Sequence, residues 1–140
     1  MRNSFGLCWI AIFGVVLVPA TAMSSGPFDG SWSVVVACAQ ASDGAKAYRW
    51  AFTAQVRDGW LTGQYNQPGS IPSGTLSGQI QPTGNARLTM DGLTGEPDYS
   101  LSRVRAGTPI HYTATAQFTG RSGTGTRDQA RPCDLTFSKQ

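Results

Sequence analysis

Few side chains in these 140 residues are of types that carry out catalysis, and their placement narrows the chemistry further. His111 is the only histidine. Nucleophilic catalysis needs a nucleophile, a base and a group that orients the base, so any imidazole-driven set must be built on this residue. His111 alternates out of phase with Tyr112 and Phe118, which places it on the solvated face of a strand. Glu96 and Asp98 flank Pro97, with Asp91 shortly before them. A pair of carboxylates can divide acid and base work, but Asp and Pro together are first of all turn formers. Tyr99, Arg103 and Arg105 follow in the same stretch. Two arginines on one side of an extended segment suit an anion or an acidic partner surface; the plainer reading is a solvated loop. The cysteines show no CxxC spacing, and with a single histidine they lack the close ligands of a zinc or redox site. No metal and no cofactor are therefore expected. Gly123-Thr124-Gly125-Thr126 resembles a phosphate cradle only in composition, since no strand–loop–helix context follows it.

The first 22 residues read as an export signal. Arg2 supplies a positive start, Phe5 to Val18 is an uncharged run of 14 residues, Pro19 breaks it, and Ala20-Thr21-Ala22 offers a small-x-small cleavage pattern. A retained anchor is the alternative, although a bilayer core needs about 20 apolar residues. Cys8 has no small-residue box before it, so it does not read as a lipoprotein cysteine. The expected mature chain, 23–140, is one domain in size and belongs in the periplasm or outside the cell. Ten basic and eight acidic residues remain in it, a net charge of +2. The arginines are scattered, which argues against nucleic acid, and nothing after the signal calls for a membrane. Cys38 and Cys133 are the only cysteines left, so one intramolecular pairing exists, in a compartment where disulfides persist. It would close a loop of 95 residues, for which chain entropy assigns roughly 4–5 kcal/mol.

The elements that must position these residues are strands. Gly, Thr, Ser and Gln are abundant and Glu and Lys are scarce, a composition that suits strands and tight turns. Tyr48, Trp50, Phe52, Ala54 and Val56 alternate with polar residues over ten positions, the period of a strand with one buried face. Asp58-Gly59 follows as a hairpin turn. The same period marks strands around 32–38, 60–65, 74–81, 86–91, 111–118, 123–127 and 133–138. The stretch 92–109 is the least regular; a loop that long is often functional, unless a short helix or strand forms around 99–104. The chain is thus all-β, with eight strands in sequence. Cys38 ends the first and Cys133 begins the last, both in phase with the apolar faces. A disulfide requires Cα atoms within about 7 Å, so the outer strands meet and the meander becomes an antiparallel eight-stranded barrel. A two-sheet β-sandwich with the same disulfide is the alternative.

Asp29-Gly30-Ser31-Trp32 opens the first strand. This Gly-x-Trp resembles the start of the lipocalins and other calycin barrels such as the avidins. The resemblance implies that Trp32 closes one end of a barrel, near a basic residue of a late strand, for which Arg127 and Lys139 are the candidates. No terminal helix follows the last strand, and no avidin-like ligand residues can be placed. The opening Phe-Asp-Gly-Ser-Trp, the run from Ala116 to Gly125 and the closing Arg-Pro-Cys-Asp-Leu-Thr-Phe resemble a group of small, uncharacterised exported bacterial proteins. That likeness implies an envelope or secreted location and no established activity.

Trp32, Tyr48, Trp50, Phe52, Tyr65, Tyr112, Phe118 and Phe137 all fall on the inward phase, facing Gly63, Gly78, Ala86, Ala114, Ala116, Gly123 and Gly125. Large opposite small fills a core; an eight-stranded barrel is either filled or just wide enough for one small ligand. Trp60 has the opposite phase and marks an exposed hairpin tip. The sequence therefore points to an exported, non-enzymatic, monomeric β-barrel binding protein. It would take a small apolar ligand or a protein partner, with Trp50, Tyr65, Tyr99, Arg103 and Arg105 as candidate contacts. The alternative is an inhibitor of an exported hydrolase acting through the 92–109 loop.

Overall fold

The structure is a computed structural model that describes residues 14–17 and 26–140. The cleavage pattern at 20–22, Cys8 and most of the expected signal lie outside the described residues.

Eight strands follow one another: β1 (Gly30–Cys38), β2 (Tyr48–Arg57), β3 (Trp60–Tyr65), β4 (Ser73–Ile80), β5 (Asn85–Leu93), β6 (Pro109–Thr119), β7 (Ser122–Arg127) and β8 (Cys133–Lys139). Each pairs antiparallel with the next, and β1 pairs with β8, so the sheet is a closed barrel rather than a sandwich. Closure leaves no strand edge open. Cys38 and Cys133 face each other in the β1–β8 register and form the disulfide, with Cα atoms 4.0 Å apart. This buried disulfide fits an oxidising, non-cytoplasmic compartment. No helix among the described residues is long and apolar enough to cross a membrane.

The period-two pattern becomes the barrel's inside. Trp32, Val34, Val36, Leu61, Leu76, Leu88, Met90, Ala114, Leu135 and Phe137 are all buried in one continuous core. Backbones come close where side chains are missing. A Cβ on Gly92 would lie 2.0 Å from the Ser73 carbonyl oxygen, so glycine is required there for β5 to pair with β4. This close pairing extends β5 to Leu93, and β6 begins at Pro109, so the irregular segment spans 94–108. Within it lie two short 3₁₀ turns, Pro97–Tyr99 and Leu101–Arg103.

The two ends of the barrel differ. One carries the tight connections 58–59, 81–84 and 120–121; the other carries the loops 39–47, 66–72, 94–108 and 128–132. At the tight end Asp58 (φ 50°) and Gly59 (φ 78°) take the left-handed pair that a two-residue hairpin turn requires. The Asp29 carboxylate accepts the N–H groups of Asp58 (2.9 Å) and Gly59 (3.0 Å). Those bonds, the Gly59 one foremost, hold the Asp29 carboxyl below the ordinary carboxylate range. The Trp32 indole N–H donates to the Phe28 carbonyl at 2.8 Å. Phe118 meets Trp32 edge-on at 5.2 Å and also packs on Phe28 (5.9 Å) and Phe137 (4.7 Å). The Phe-Asp-Gly-Ser-Trp motif is therefore a plug with a clasp. Of the two candidate basic partners of Trp32, Lys139 stands opposite it in register. Arg127 does not: β7 runs the other way and delivers its side chain to the far end.

Candidate functional site

The loop end is open. The inward phase of β2, β3, β6 and β7 continues past the packed core, and the loops hold it apart. The result is a mouth of about 590 Å³ lined by Tyr48, Trp50, Tyr65, Tyr99, Ile110 and Arg127, with Glu96 from the 94–108 segment. That volume lies within the range of small-molecule sites. Its wall is aromatic: the Trp50 and Tyr65 rings stack at 4.4 Å and 9°, and Tyr48 leans on Trp50 at 5.4 Å and 44°. Gly74 makes room for this stack, since a Cβ there would lie 2.8 Å from the Trp50 ring and 2.7 Å from the Met90 sulfur.

Arg131 holds the rim. It is 4 % exposed and has no carboxylate partner within 4.0 Å among the described residues. Its guanidinium instead donates to the carbonyls of Tyr99 (2.8 Å), Ala39 (2.6 Å), Lys46 (2.9 Å) and Ala45 (3.4 Å). One side chain thus ties together the 39–47, 94–108 and 128–132 loops. Asp43 adds a second tie, accepting from the N–H groups of Ala45 (3.0 Å) and Ser102 (2.7 Å). Those bonds, Ser102 first, hold the Asp43 carboxyl below its ordinary range. The Lys46 N–H donates to the Asp98 carbonyl (2.8 Å), closing the seam between the two loops.

Beneath the rim, Arg127 lies half-buried with its guanidinium 4.1 Å from the centre of the Tyr112 ring. Burial pulls its ionisation equilibrium down, yet a guanidinium keeps its proton at any physiological pH. Burial also pushes the Tyr48 and Tyr112 phenols up, so both stay neutral. The mouth therefore presents flat apolar faces, the neutral Tyr48 hydroxyl and the fixed positive charge of Arg127.

Of the five contacts expected from sequence, Trp50, Tyr65 and Tyr99 line this mouth. Arg103 and Arg105 do not; both are exposed on the outside of the 94–108 segment. Their expected alignment assumed an extended chain. The backbone instead turns, with Ser102 (φ 54°) and Arg103 (φ 50°) in the left-handed region, and Arg103 binds Asp98 at 3.1 Å. Asp98 also faces Lys46 at 3.4 Å. His111 sits on the outer surface with its Nδ1 2.5 Å from Asp91. Trp60 is half exposed at its hairpin tip. Among the described residues no group of three or more His, Cys, Asp or Glu is placed to hold a metal. Arg127 was readable in the sequence, because it continues the Gly123, Gly125 phase. Arg131 sits in a loop where no periodicity points to it.

Compared with family models, curated proteins and solved structures, the chain finds no match.

Proposed function

We propose that this barrel is an exported, non-catalytic binding protein and that its open mouth holds one small molecule. The observation that carries this reading is the contrast within one interior: rings packed to contact at one end, and aromatic walls held about a 590 Å³ space at the other. A rimmed apolar patch of this kind facing solvent is characteristic of a ligand-binding groove. The three tied loops support the reading further, because a preformed site loses less entropy on binding. Export by the first 22 residues fits the disulfide and would place the ligand outside the cytoplasm.

The neutral dye N-phenyl-1-naphthylamine tests this. It should brighten on binding the processed protein, with a melting temperature that rises with dye concentration. Ile110→Trp, which sets an indole into the mouth, should weaken binding about tenfold or more, a loss of roughly 1.4 kcal/mol. No binding by the native protein, or unchanged binding by this variant, would refute the reading. A second reading, an inhibitor of an exported hydrolase, draws on the outward Arg103 and Arg105. It requires potency to fall when both are replaced by Ala while the fold persists.

A further inference from the structure

We infer that the mouth is built for an organic anion: a compact, ring-sized apolar body carrying one oxyanion, with Arg127 receiving the charge. This rests on the reading of the mouth as a ligand site. The carrying observation is an unanswered cation. None of the Arg127 side-chain nitrogens donates to a protein acceptor among the described residues, and Nε is shielded from solvent without a partner. Among the described residues no carboxylate comes within 4.0 Å of it. Arg131 shares the buried, unpartnered Nε but not the empty fork, and two surface arginines find carboxylates. The Nη atoms of Arg131 are met by backbone carbonyls, Arg103 by Asp98 and Arg87 by Asp128. Arg127 has only the Tyr112 ring on one side, which leaves the other edge of its fork unengaged.

A half-buried guanidinium without a counter-ion is unfavourable, and the nearby Arg131 charge adds repulsion. An oxyanion would remove both penalties, since the fork donates two parallel N–H···O bonds to a carboxylate, sulfonate or phosphate ester. The surroundings agree in sign: three arginines line the mouth against a single acid, Glu96. The apolar body is set by the stacked Trp50 and Tyr65 and by Tyr48, which offer flat faces rather than a long channel.

Two dyes share one skeleton and differ by a single sulfonate: neutral N-phenyl-1-naphthylamine and anionic 8-anilinonaphthalene-1-sulfonate. The processed protein should bind the anionic dye about tenfold more tightly or better, as expected for a charge-assisted hydrogen-bonded pair. Arg127→Met should erase that preference while keeping the neutral dye's affinity. Arg127→Lys should retain part of it, and Arg57→Met, at the far end of the barrel, should change neither. Near-ultraviolet circular dichroism of each variant establishes that it is folded. Displacement by 1-naphthoate or 1-naphthyl phosphate, with 1-naphthol much weaker, would support the inference and assign the head group. Equal affinity for the two dyes, or an anionic preference that survives Arg127→Met, would overturn it with the mouth reading intact. Failure of both dyes would sink the mouth reading itself.

Discussion

The two ends of this barrel are made from the same eight strands and behave as different materials. At the tight end the connections are two, four and two residues long, and Phe28, Trp32, Phe118 and Phe137 pack ring on ring. At the loop end the connections are nine, seven, fifteen and five residues long, and Tyr48, Trp50, Tyr65 and Tyr99 stand around an open space. Aromatic content is similar at both. What differs is what the neighbouring chain does. Short turns draw the strands together and the segment 26–29 folds over them, whereas long loops cross-tied by Arg131 and Asp43 stand up as a rim. Each end also uses one aspartate in the same way, to collect two backbone N–H groups. Asp29 locks a turn to the plug, and Asp43 locks one rim loop to another. An eight-stranded barrel can thus be filled and hollow at once, with the connections deciding where.

That division can be broken by mutation. The largest expected effect is at the plug: Trp32→Ala removes a fully buried indole and should cost about 3–5 kcal/mol in urea unfolding. The mouth should keep its dye affinity in the molecules that remain folded. Loss of dye binding in step with stability would mean that the ends are not separable. Next comes the disulfide, which joins β1 to β8 at the loop end. Replacing Cys38 and Cys133 together by Ser should cost about 2–5 kcal/mol. Unlike the plug variant, this one should also weaken dye binding.

The smallest effect concerns the two aspartates and is read by pH. Both carboxyls sit below their ordinary value of 3.8 in the folded chain. Their contribution is therefore complete above that value and is lost as pH falls through the lower, folded-state value. Acid titration should lower the melting temperature in this window, and Asp29→Asn should flatten the response without touching dye affinity. Asp43→Asn should weaken the dye at neutral pH, because the Ser102 N–H loses its charged acceptor and the rim loosens. Identical behaviour of the two variants would erase the distinction between clasp and rim.

Most of the fold could be read from the residues. Alternation at Tyr48–Val56 and Tyr112–Phe118 and the Asp58-Gly59 turn mark strands, because strand period is a local rule; the in-phase cysteines bring the outer strands together, while the choice of barrel over sandwich rests on the β1–β8 pairing. The site was only half legible. Trp50 and Tyr65 follow from strand phase, and Arg127 shares it through two glycines. Arg103 and Arg105 lie away from the mouth because the chain turns left-handed at Ser102 and Arg103, where the Ser102 N–H meets the Asp43 carboxylate, 59 residues away in sequence. Arg131 depends wholly on carbonyls supplied by other loops. Loops carry no period, so contacts of this kind exist only once the chain is folded.

If one end is packed and the other receives a ligand, three indoles report the difference directly. Trp32 sits in the plug, Trp50 in the mouth wall and Trp60 on the outer hairpin tip. The measurement is the indole N–H region of a ¹H–¹⁵N spectrum of residues 23–140, titrated with N-phenyl-1-naphthylamine. The Trp50 resonance should move with saturation while those of Trp32 and Trp60 stay in place. A shift at Trp60 or Trp32 with Trp50 unmoved would contradict the account and put the contact surface elsewhere.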